Sequence, residues 1–281
     1  MLGSRVVLGW VMVVGVIVGM PLAIVSPAPA EMAPSTVALL LLTGICYVVG
    51  LNLTYAALTV GKVSVVAPIV AAEGGVAALI AVALGDTLGM AAGVMLVVVA
   101  CGVVLASLEP ARPEVPAGGL DITADALEGP ATPNAVTSTV TDGDTRRAAL
   151  LAVGAALIFG VGLVAAGKAA GFVPVAWVAV AARLVGIFAV ALPLMARGRL
   201  RLTREALPLV LIAGTGEVFG SMLSAWGSRE SIAITAVLGS QFAAIAAVAA
   251  FVLFGERLSR TQIIGVVLIV AGVAALAWLQ V

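Results

Sequence analysis

The stretch Phe254-Gly255-Glu256-Arg257-Leu258-Ser259 is a short charged tip between two long apolar runs, residues 232–253 and 263–279. A similar stretch, Leu84-Gly85-Asp86-Thr87-Leu88, lies 170 positions earlier and also separates two apolar runs. In both, the carboxylate follows a glycine and precedes a leucine by two places. Three glycine pairs share this offset: Gly44 with Gly214, Gly50 with Gly220 and Gly102 with Gly272. The sequence therefore predicts an internal duplication of about half the chain.

The composition indicates an integral membrane protein. Of 281 residues, 63% are hydrophobic and only 10% are charged, whereas soluble domains carry about 25% charged residues. Zero net charge and 5% aromatic residues argue against nucleic-acid binding. The chain contains no histidine, which excludes histidine-based catalysis and histidine-ligated metals. Cys46 and Cys101 lie in separate apolar runs, so we expect small buried residues there rather than a disulfide, and we expect no metal and no cofactor.

Nine apolar runs have the length of membrane-spanning helices, which need about 20 residues. Because they lack two-residue alternation, they do not fit barrel strands. The short connections between most of them predict antiparallel neighbours. We therefore expect an all-α membrane protein whose spans cover residues 6–25, 37–58, 63–84, 88–107, 148–167, 174–195, 207–226, 232–254 and 262–279.

The connection from 109 to 146 is rich in Pro, Gly, Thr, Asp and Glu, which predicts a disordered linker. It divides the chain into a first repeat with four spans (1–107), a linker (108–147) and a second repeat with five spans (148–281). No run in the first half matches 148–167. We therefore expect that a first helix is missing, either lost or excluded by a start codon placed too late.

Matching spans are separated by an odd number of positions, so the two repeats should cross the membrane in opposite directions. This inverted repeat is an architecture of secondary transporters, with the substrate site at the repeat interface. Counting Lys and Arg on each side predicts a cytoplasmic N-terminus and linker, and an external C-terminus. Twelve Arg against two Lys, with abundant Ala, Val and Gly, is typical of a GC-rich bacterial genome. We expect a multi-pass protein of the bacterial cytoplasmic (inner) membrane.

Three charged residues lie well inside spans: Glu73, Arg183 and Glu217. Each costs about 2.5–3.5 kcal/mol at the centre of a membrane helix and needs a partner or a watery cavity. One interpretation is a pair of carboxylates that face a central cavity and bind a cation or a proton. The other is an ion pair between one carboxylate and Arg183 that only holds helices together, and for Arg183 we favour this structural role.

Uncharged polar residues concentrate in spans two, three, seven and eight. Any one of them could be a helix–helix hydrogen bond worth about 0.6 kcal/mol, but their concentration favours a polar cavity. The predicted cavity residues besides the two carboxylates are Asn52, Tyr55, Ser221, Trp226 and Gln241. The two repeated tips are predicted to be structural, with Gly85, Asp86, Gly255 and Glu256 forming hairpin turns that fix helix ends.

The repeated pattern resembles the EamA domain of the drug/metabolite transporter superfamily. The resemblance covers 37–107 and 148–281, and it is most specific where Gly255-Glu256-Arg257-Leu258-Ser259 is followed by Gln262-Ile263-Ile264-Gly265 and Gly272. The first copy departs from the pattern, with Asp86 in place of Glu and Thr87 in place of a basic residue. The resemblance implies a ten-helix exporter of metabolites, amino acids or drugs, usually proton-coupled, with a cytoplasmic C-terminus and a cavity between spans two, three, five, seven and eight.

The leading hypothesis is therefore a non-enzymatic secondary transporter. It would export small metabolites, amino acids or amphipathic cations in exchange for protons, and its partners would be the lipid bilayer, the substrate and protons. An intramembrane enzyme, such as a lipid phosphatase or an acyltransferase, is disfavoured because no nucleophile motif is present. A non-transporting or degenerate membrane partner protein is the main alternative, because of the missing helix.

Overall fold

The computed structural model describes residues 4–27, 32–61, 66, 69–86, 89–107, 142–200, 202–204, 206–239 and 260–279. Over these residues all regular structure is helical and no strand is present. The helices are α1 (Ser4–Val25), α2 (Pro34–Val60), α3 (Glu73–Ala83), α4 (Met90–Ser107), α5 (Asp142–Ala170), α6 (Val175–Gly186), α7 (Leu192–Ala196), α8 (Leu207–Gly227), α9 (Ile232–Gly239) and α10 (Arg260–Leu279).

The all-α membrane fold predicted from the sequence is confirmed. Every predicted span contains a helix in its described part. Among the described residues, five continuous helical segments are long and apolar enough to cross a membrane: Val6–Val25, Pro34–Val60, Arg146–Ala170, Val175–Ala196 and Leu207–Gly227. Shorter apolar helices cover Ile69–Ala83, Met90–Gly102 and Ile263–Gly272. Many large apolar side chains on these helices are exposed, for example Ile212 at 72%, which is the surface that a lipid-facing helix presents.

The linker prediction is tested only at its C-terminal end, because residues 108–141 lie outside the described residues. There the structure differs from the expectation, since α5 begins at Asp142 and residues 142–147 are helical. The physical reason is that helix formation is cooperative, so the long apolar helix extends into the polar residues that precede it. The division into two repeats stays a prediction.

Proline starts several helices and distorts one. Pro34 occupies the first turn of α2, and Pro174 directly precedes α6. A proline at either position costs no intrahelical hydrogen bond, because the N–H that it lacks would have had no partner in the helix. Between α6 and α7 the chain forms a five-residue π-helical segment, Ile187–Ala191. Pro193 follows it closely, and a proline ring inside a helix clashes with the carbonyl four residues earlier. The π segment widens the helix where that clash would occur.

Small residues bring α2 close to its neighbours. A Cβ at Gly44 would lie 2.6 Å from the Val185 Cβ at the end of α6. On α5, a Cβ at Gly162 would lie 2.9 Å from the Cys46 Cβ of α2. The backbones therefore approach closely, which is how helices associate within a membrane, where no hydrophobic effect drives them together.

Helices at matching positions of the two predicted repeats contact each other, namely α1 with α6, α3 with α9 and α4 with α10. The contacts between α4 and α10 are reciprocal. A Cβ at Gly102 would meet Gly265 and Ile269, and a Cβ at Gly272 would meet Met95 and Val99. The residue numbers of Met95 and Val99 become those of Gly265 and Ile269 when 170 is added. Such an exchange of partners is what a two-fold axis between equivalent elements produces.

The first charged tip supports the start of α9. Gly85 has φ +100°, a conformation that favours glycine. Next to it, the Asp86 carboxylate accepts hydrogen bonds from the Ala233 backbone N–H (3.1 Å) and from the Ser231 hydroxyl (3.3 Å). Ser231 Oγ in turn accepts from the Ile234 N–H at 3.3 Å. Asp86 and Ser231 thus share the free N–H groups of the first turn of α9. The second tip, with Gly255 and Glu256, lies outside the described residues.

Candidate functional site

The candidate site is built on the buried face of α8. Gly214 lets this helix approach α1, because a Cβ there would lie 2.7 Å from the Val14 Cγ1. Val218 is fully buried beside it. Glu217 projects from the same region of α8, and its side chain is 28% exposed. The apolar packing of α8 on α1 therefore positions one carboxylate inside the helix bundle.

The principal partner of Glu217 is Arg183 on α6, whose side chain is only 3% exposed. Its Nη2 lies 3.4 Å from Glu217 Oε1. The same nitrogen donates to Ser221 Oγ (2.6 Å) and to the Glu217 carbonyl oxygen (3.0 Å). Nη1 donates to the Ala179 carbonyl oxygen at 3.2 Å. A buried guanidinium needs several acceptors, and α6 and α8 supply them together.

Two glycines of α1 let this helix pack closely on α6, and one of them makes room for Arg183. A Cβ at Gly15 would lie 2.8 Å from the Arg183 Cγ, and one at Gly19 would lie 3.0 Å from the Val180 Cγ2. The backbone of α1 therefore packs directly on the aliphatic part of the arginine. This contact shields the guanidinium from the lipid and holds it towards α8.

Tyr47 on α2 completes the cluster. Its hydroxyl donates a hydrogen bond to Glu217 Oε1, and its ring centroid lies 5.7 Å from Arg183 Cζ, within range of a cation–π contact. Sequence analysis missed this residue. The signal that could have found it is the offset itself, because Tyr47 and Glu217 are 170 positions apart and are bracketed by Gly44/Gly214 and Gly50/Gly220. The contact therefore joins equivalent positions of the two predicted repeats.

The polar cluster thus consists of Tyr47, Arg183, Glu217 and Ser221. The Arg183 guanidinium and the Glu217 carboxylate neutralise each other. Glu217 Oε1 accepts the hydrogen bond from Tyr47 and also forms the ion pair with Arg183. Because Arg183 is nearly inaccessible and Glu217 is not, an incoming ligand or proton would meet the carboxylate. Oε2 of Glu217 has no hydrogen-bond partner among the described residues. It is the atom that could take up a proton or accept a hydrogen bond from a cationic or polar ligand.

The other predicted cavity residues lie apart from this cluster. Asn52 Nδ2 donates to the Val48 carbonyl oxygen of its own helix at 2.8 Å. Tyr55 packs against the apolar core cluster that contains Val48. The Trp226 residue is 65% exposed near the end of α8. Of the predicted uncharged residues only Ser221 joins the cluster, and Gln241 lies outside the described residues.

Glu73 occupies a different place from Glu217. It is the first residue of α3, it is partly buried, and α3 packs against α5 and α9. Within the described part of the chain it has no hydrogen-bond or ion-pair partner. The structure therefore brings one of the two predicted carboxylates to Arg183 and leaves the other outside the cluster. It also contains the ion pair that was the alternative interpretation. No group of three potential metal ligands occurs among the described residues.

Comparison with known proteins agrees with this fold. Residues 146–278 match the model of the EamA-like transporter family. The second half of the chain is therefore similar to the EamA-like transporter family. The resemblance noted in the sequence is thereby confirmed, as is the assignment to multi-pass membrane transporters of the drug/metabolite type. This family is a transporter family, which agrees with a non-enzymatic protein.

A solved structure has a similar fold over nearly the whole length of this chain. A crystal structure described only as "Crystal structure of protein" is similar with a TM-score of 0.71 and 19% sequence identity. The similarity covers 99% of this chain and 90% of the other. At this identity it supports the fold alone. No curated protein matches the sequence.

Proposed function

We propose that this protein is a secondary transporter of the bacterial cytoplasmic membrane. It exports small metabolites, amino acids or amphipathic cations in exchange for protons. The observation that carries the proposal is the partly exposed Glu217 carboxylate, held by Arg183 and Tyr47 inside a bundle of a transporter family. Ionisable groups within membrane helices are rare and are associated with ion and substrate pathways.

The geometry supports exchange at Glu217. With the carboxylate ionised, Arg183 balances its charge and Oε2 can accept a donor from a substrate. With the carboxylate protonated, the neutral group loses its charge attraction for a cationic ligand and accepts hydrogen bonds more weakly. Proton and substrate therefore compete for one atom, which is the simplest basis for obligatory exchange. Arg183 keeps its bonds to Ser221 and to backbone carbonyl oxygens in either case, so the cluster stays assembled.

Glu73 is proposed as a second proton-binding group. It lies at the first turn of α3 beside Gly74 and Gly75, and a Cβ at Gly75 would meet nothing within 4 Å. Open space next to a partly buried carboxylate leaves room for a proton donor or a ligand beside it. Asn52, Tyr55, Trp226 and Gln241 are retained in this proposal as residues of the substrate pathway.

The test is pH-gradient-driven flux in proteoliposomes. The substrate is first chosen by growth protection, with the gene overexpressed against toxic amino acids, nucleobases and quaternary ammonium compounds. The double variant Glu73→Gln/Glu217→Gln is expected to lose coupled flux, because the glutamine side chains keep the shape of glutamate but cannot bind or release a proton. Asp86→Asn, which alters a carboxylate at a helix end, serves as the matched control. Undiminished coupled flux in the double variant would refute the assignment.

A further inference from the structure

We propose that Tyr47 is a positioning residue that connects the protonation of Glu217 to the packing of α2 on α5. It does so through Phe159, which therefore acts as a gating side chain. This inference rests on the proposed function, because it takes Glu217 as the proton-binding group. It assigns roles to two aromatic residues that lie beyond the polar cluster itself.

The connection is a continuous series of contacts. The Tyr47 hydroxyl donates to Glu217 Oε1. The Tyr47 ring meets the Phe159 ring edge-on, with centroids 6.3 Å apart and planes at 63°, a favourable aromatic arrangement. Phe159 in turn fills a notch at Gly50, where a Cβ would lie 2.6 Å from the Phe159 Cε1. Each step joins α2 to another helix, first to α8 and then to α5.

Phe159 also lies at the point where α5 contacts α3. The next residue, Gly160, packs against α3, and a Cβ there would lie 2.6 Å from the Val76 Cγ1. Val76 is one turn from Glu73. A movement of the Phe159 ring would therefore disturb the contact of α5 with the helix that carries the other carboxylate. The series ends close to Glu73.

Protonation of Glu217 would loosen the first step. A hydrogen bond to an ionised carboxylate is about twice as strong as one between neutral groups. Among the residues that the structure describes, the groups that face Glu217 are Arg183 of α6 and Tyr47 of α2. No other ionisable side chain occurs on α1 from residue 6 onwards, on α8 or on α9, and α5 carries between Arg147 and its end only Lys168. A weaker bond frees the Tyr47 ring to turn, and Phe159 then loses the surface that keeps it in the Gly50 notch.

A native cysteine lies in the contact between α2 and α5 and can report on it. Cys46 directly precedes Tyr47, is buried, and faces Gly162 of α5, where a Cβ would lie 2.9 Å from the Cys46 Cβ. Cys101, which is exposed, is replaced by serine in every variant. The rate at which N-ethylmaleimide alkylates Cys46 at constant pH then measures how often α2 and α5 separate at this level. This measurement needs no substrate.

The variants are Tyr47→Phe, Glu217→Gln and the matched control Tyr55→Phe, which removes the only other tyrosine hydroxyl of the chain from the same helix. Loss of a charge-assisted hydrogen bond predicts alkylation about tenfold faster in Tyr47→Phe and in Glu217→Gln than in the Cys101→Ser parent. Tyr55→Phe should react at the parental rate. The double variant Tyr47→Phe/Glu217→Gln should react no faster than either single variant, because both act on one contact.

Equal rates in Tyr47→Phe and Tyr55→Phe would overturn the inference, and so would additive effects in the double variant. If Tyr47→Phe does not fold, Glu217→Gln decides alone, since it keeps both aromatic rings, and a parental rate in it would overturn the inference. Loss of coupled flux in Glu217→Gln with unchanged alkylation would contradict this inference and leave the proposed function standing. Faster alkylation in Tyr47→Phe and Glu217→Gln, when the wild-type protein itself shows no pH-driven flux, would contradict the proposed function and leave the contact between Tyr47 and Phe159 standing.

Discussion

Glu217 and Glu73 are two carboxylates in apolar helices of the same chain, and their surroundings differ in nearly every respect. Glu217 has an arginine, a tyrosine and a neighbouring serine that together fix it between three helices. Glu73 stands at the first turn of a short helix and has no polar partner among the described residues. The two positions show that a charge inside a span can be either the centre of a polar network or a group without a described polar partner.

The difference follows from the helices that surround each residue. Around Glu217 the glycines Gly15 and Gly214 allow α1, α6 and α8 to approach so closely that a buried arginine finds four acceptors. Close to Glu73, by contrast, no other helix in the described part of the chain packs against Gly75, where a Cβ would meet nothing within 4 Å. A glycine next to a charge therefore has opposite consequences, depending on whether a second helix occupies the room that it leaves.

The largest stability effect is expected at Arg183. Arg183→Met keeps the length of the side chain but leaves the Glu217 carboxylate without its charged partner. Breaking a buried ion pair in this way costs about 3–5 kcal/mol of unfolding free energy, measured by denaturant titration in detergent micelles. The control is Arg229→Met, which removes hydrogen bonds to the carbonyl oxygens of Ala170, the last residue of α5, and of Val173 in the connection that follows, and should cost about 1 kcal/mol. Equal losses would mean that the cluster contributes no more than a helix cap.

The same substitution at the two carboxylates should have opposite signs. Glu73→Met removes a polar group that has no described partner and should raise the unfolding free energy by about 1–3 kcal/mol. Glu217→Met leaves Arg183 and Tyr47 without their acceptor and should lower it by a comparable or larger amount. Both variants are measured at one pH in one detergent. A loss of stability in Glu73→Met would show that this carboxylate too is part of a network.

The smallest effect is expected at Asp86, a third carboxylate that lies at a helix end. Asp86→Ala removes acceptors for the Ala233 N–H and the Ser231 hydroxyl and should cost about 1 kcal/mol, as loss of a helix cap does. Ser231→Ala and the double variant complete a cycle that measures the coupling between the two capping side chains. Full additivity would mean that they act on α9 independently.

The sequence predicts the fold well because the information is local. Runs of about twenty apolar residues specify spanning helices wherever they occur, and the repeated glycines specify which helices match. Hydropathy alone predicts a start of α5 at residue 148, whereas the helix begins at Asp142. A polar first turn looks like part of a linker when only hydropathy is considered. The π segment at Ile187–Ala191 depends on how Pro193 is accommodated, which no periodicity reveals.

The site was predicted only in part, because it depends on contacts between distant helices. Glu217, Arg183 and Ser221 stand out as polar residues inside spans, and the ion pair was one of two interpretations considered. The sequence points to Tyr55 and not to Tyr47, because hydropathy cannot show which of two tyrosines on one helix faces a distant carboxylate. Only the position of α8 decides that the hydroxyl of Tyr47 meets a carboxylate.

The most direct test compares the two carboxylates one at a time. Coupled flux driven by a pH gradient is measured for Glu217→Gln and Glu73→Gln in proteoliposomes that contain equal amounts of folded protein. The structure predicts that Glu217→Gln abolishes coupled flux, while Glu73→Gln reduces it and leaves a measurable part. Wild-type coupled flux in Glu217→Gln would contradict the claim that the cluster of Tyr47, Arg183, Glu217 and Ser221 carries the exchange.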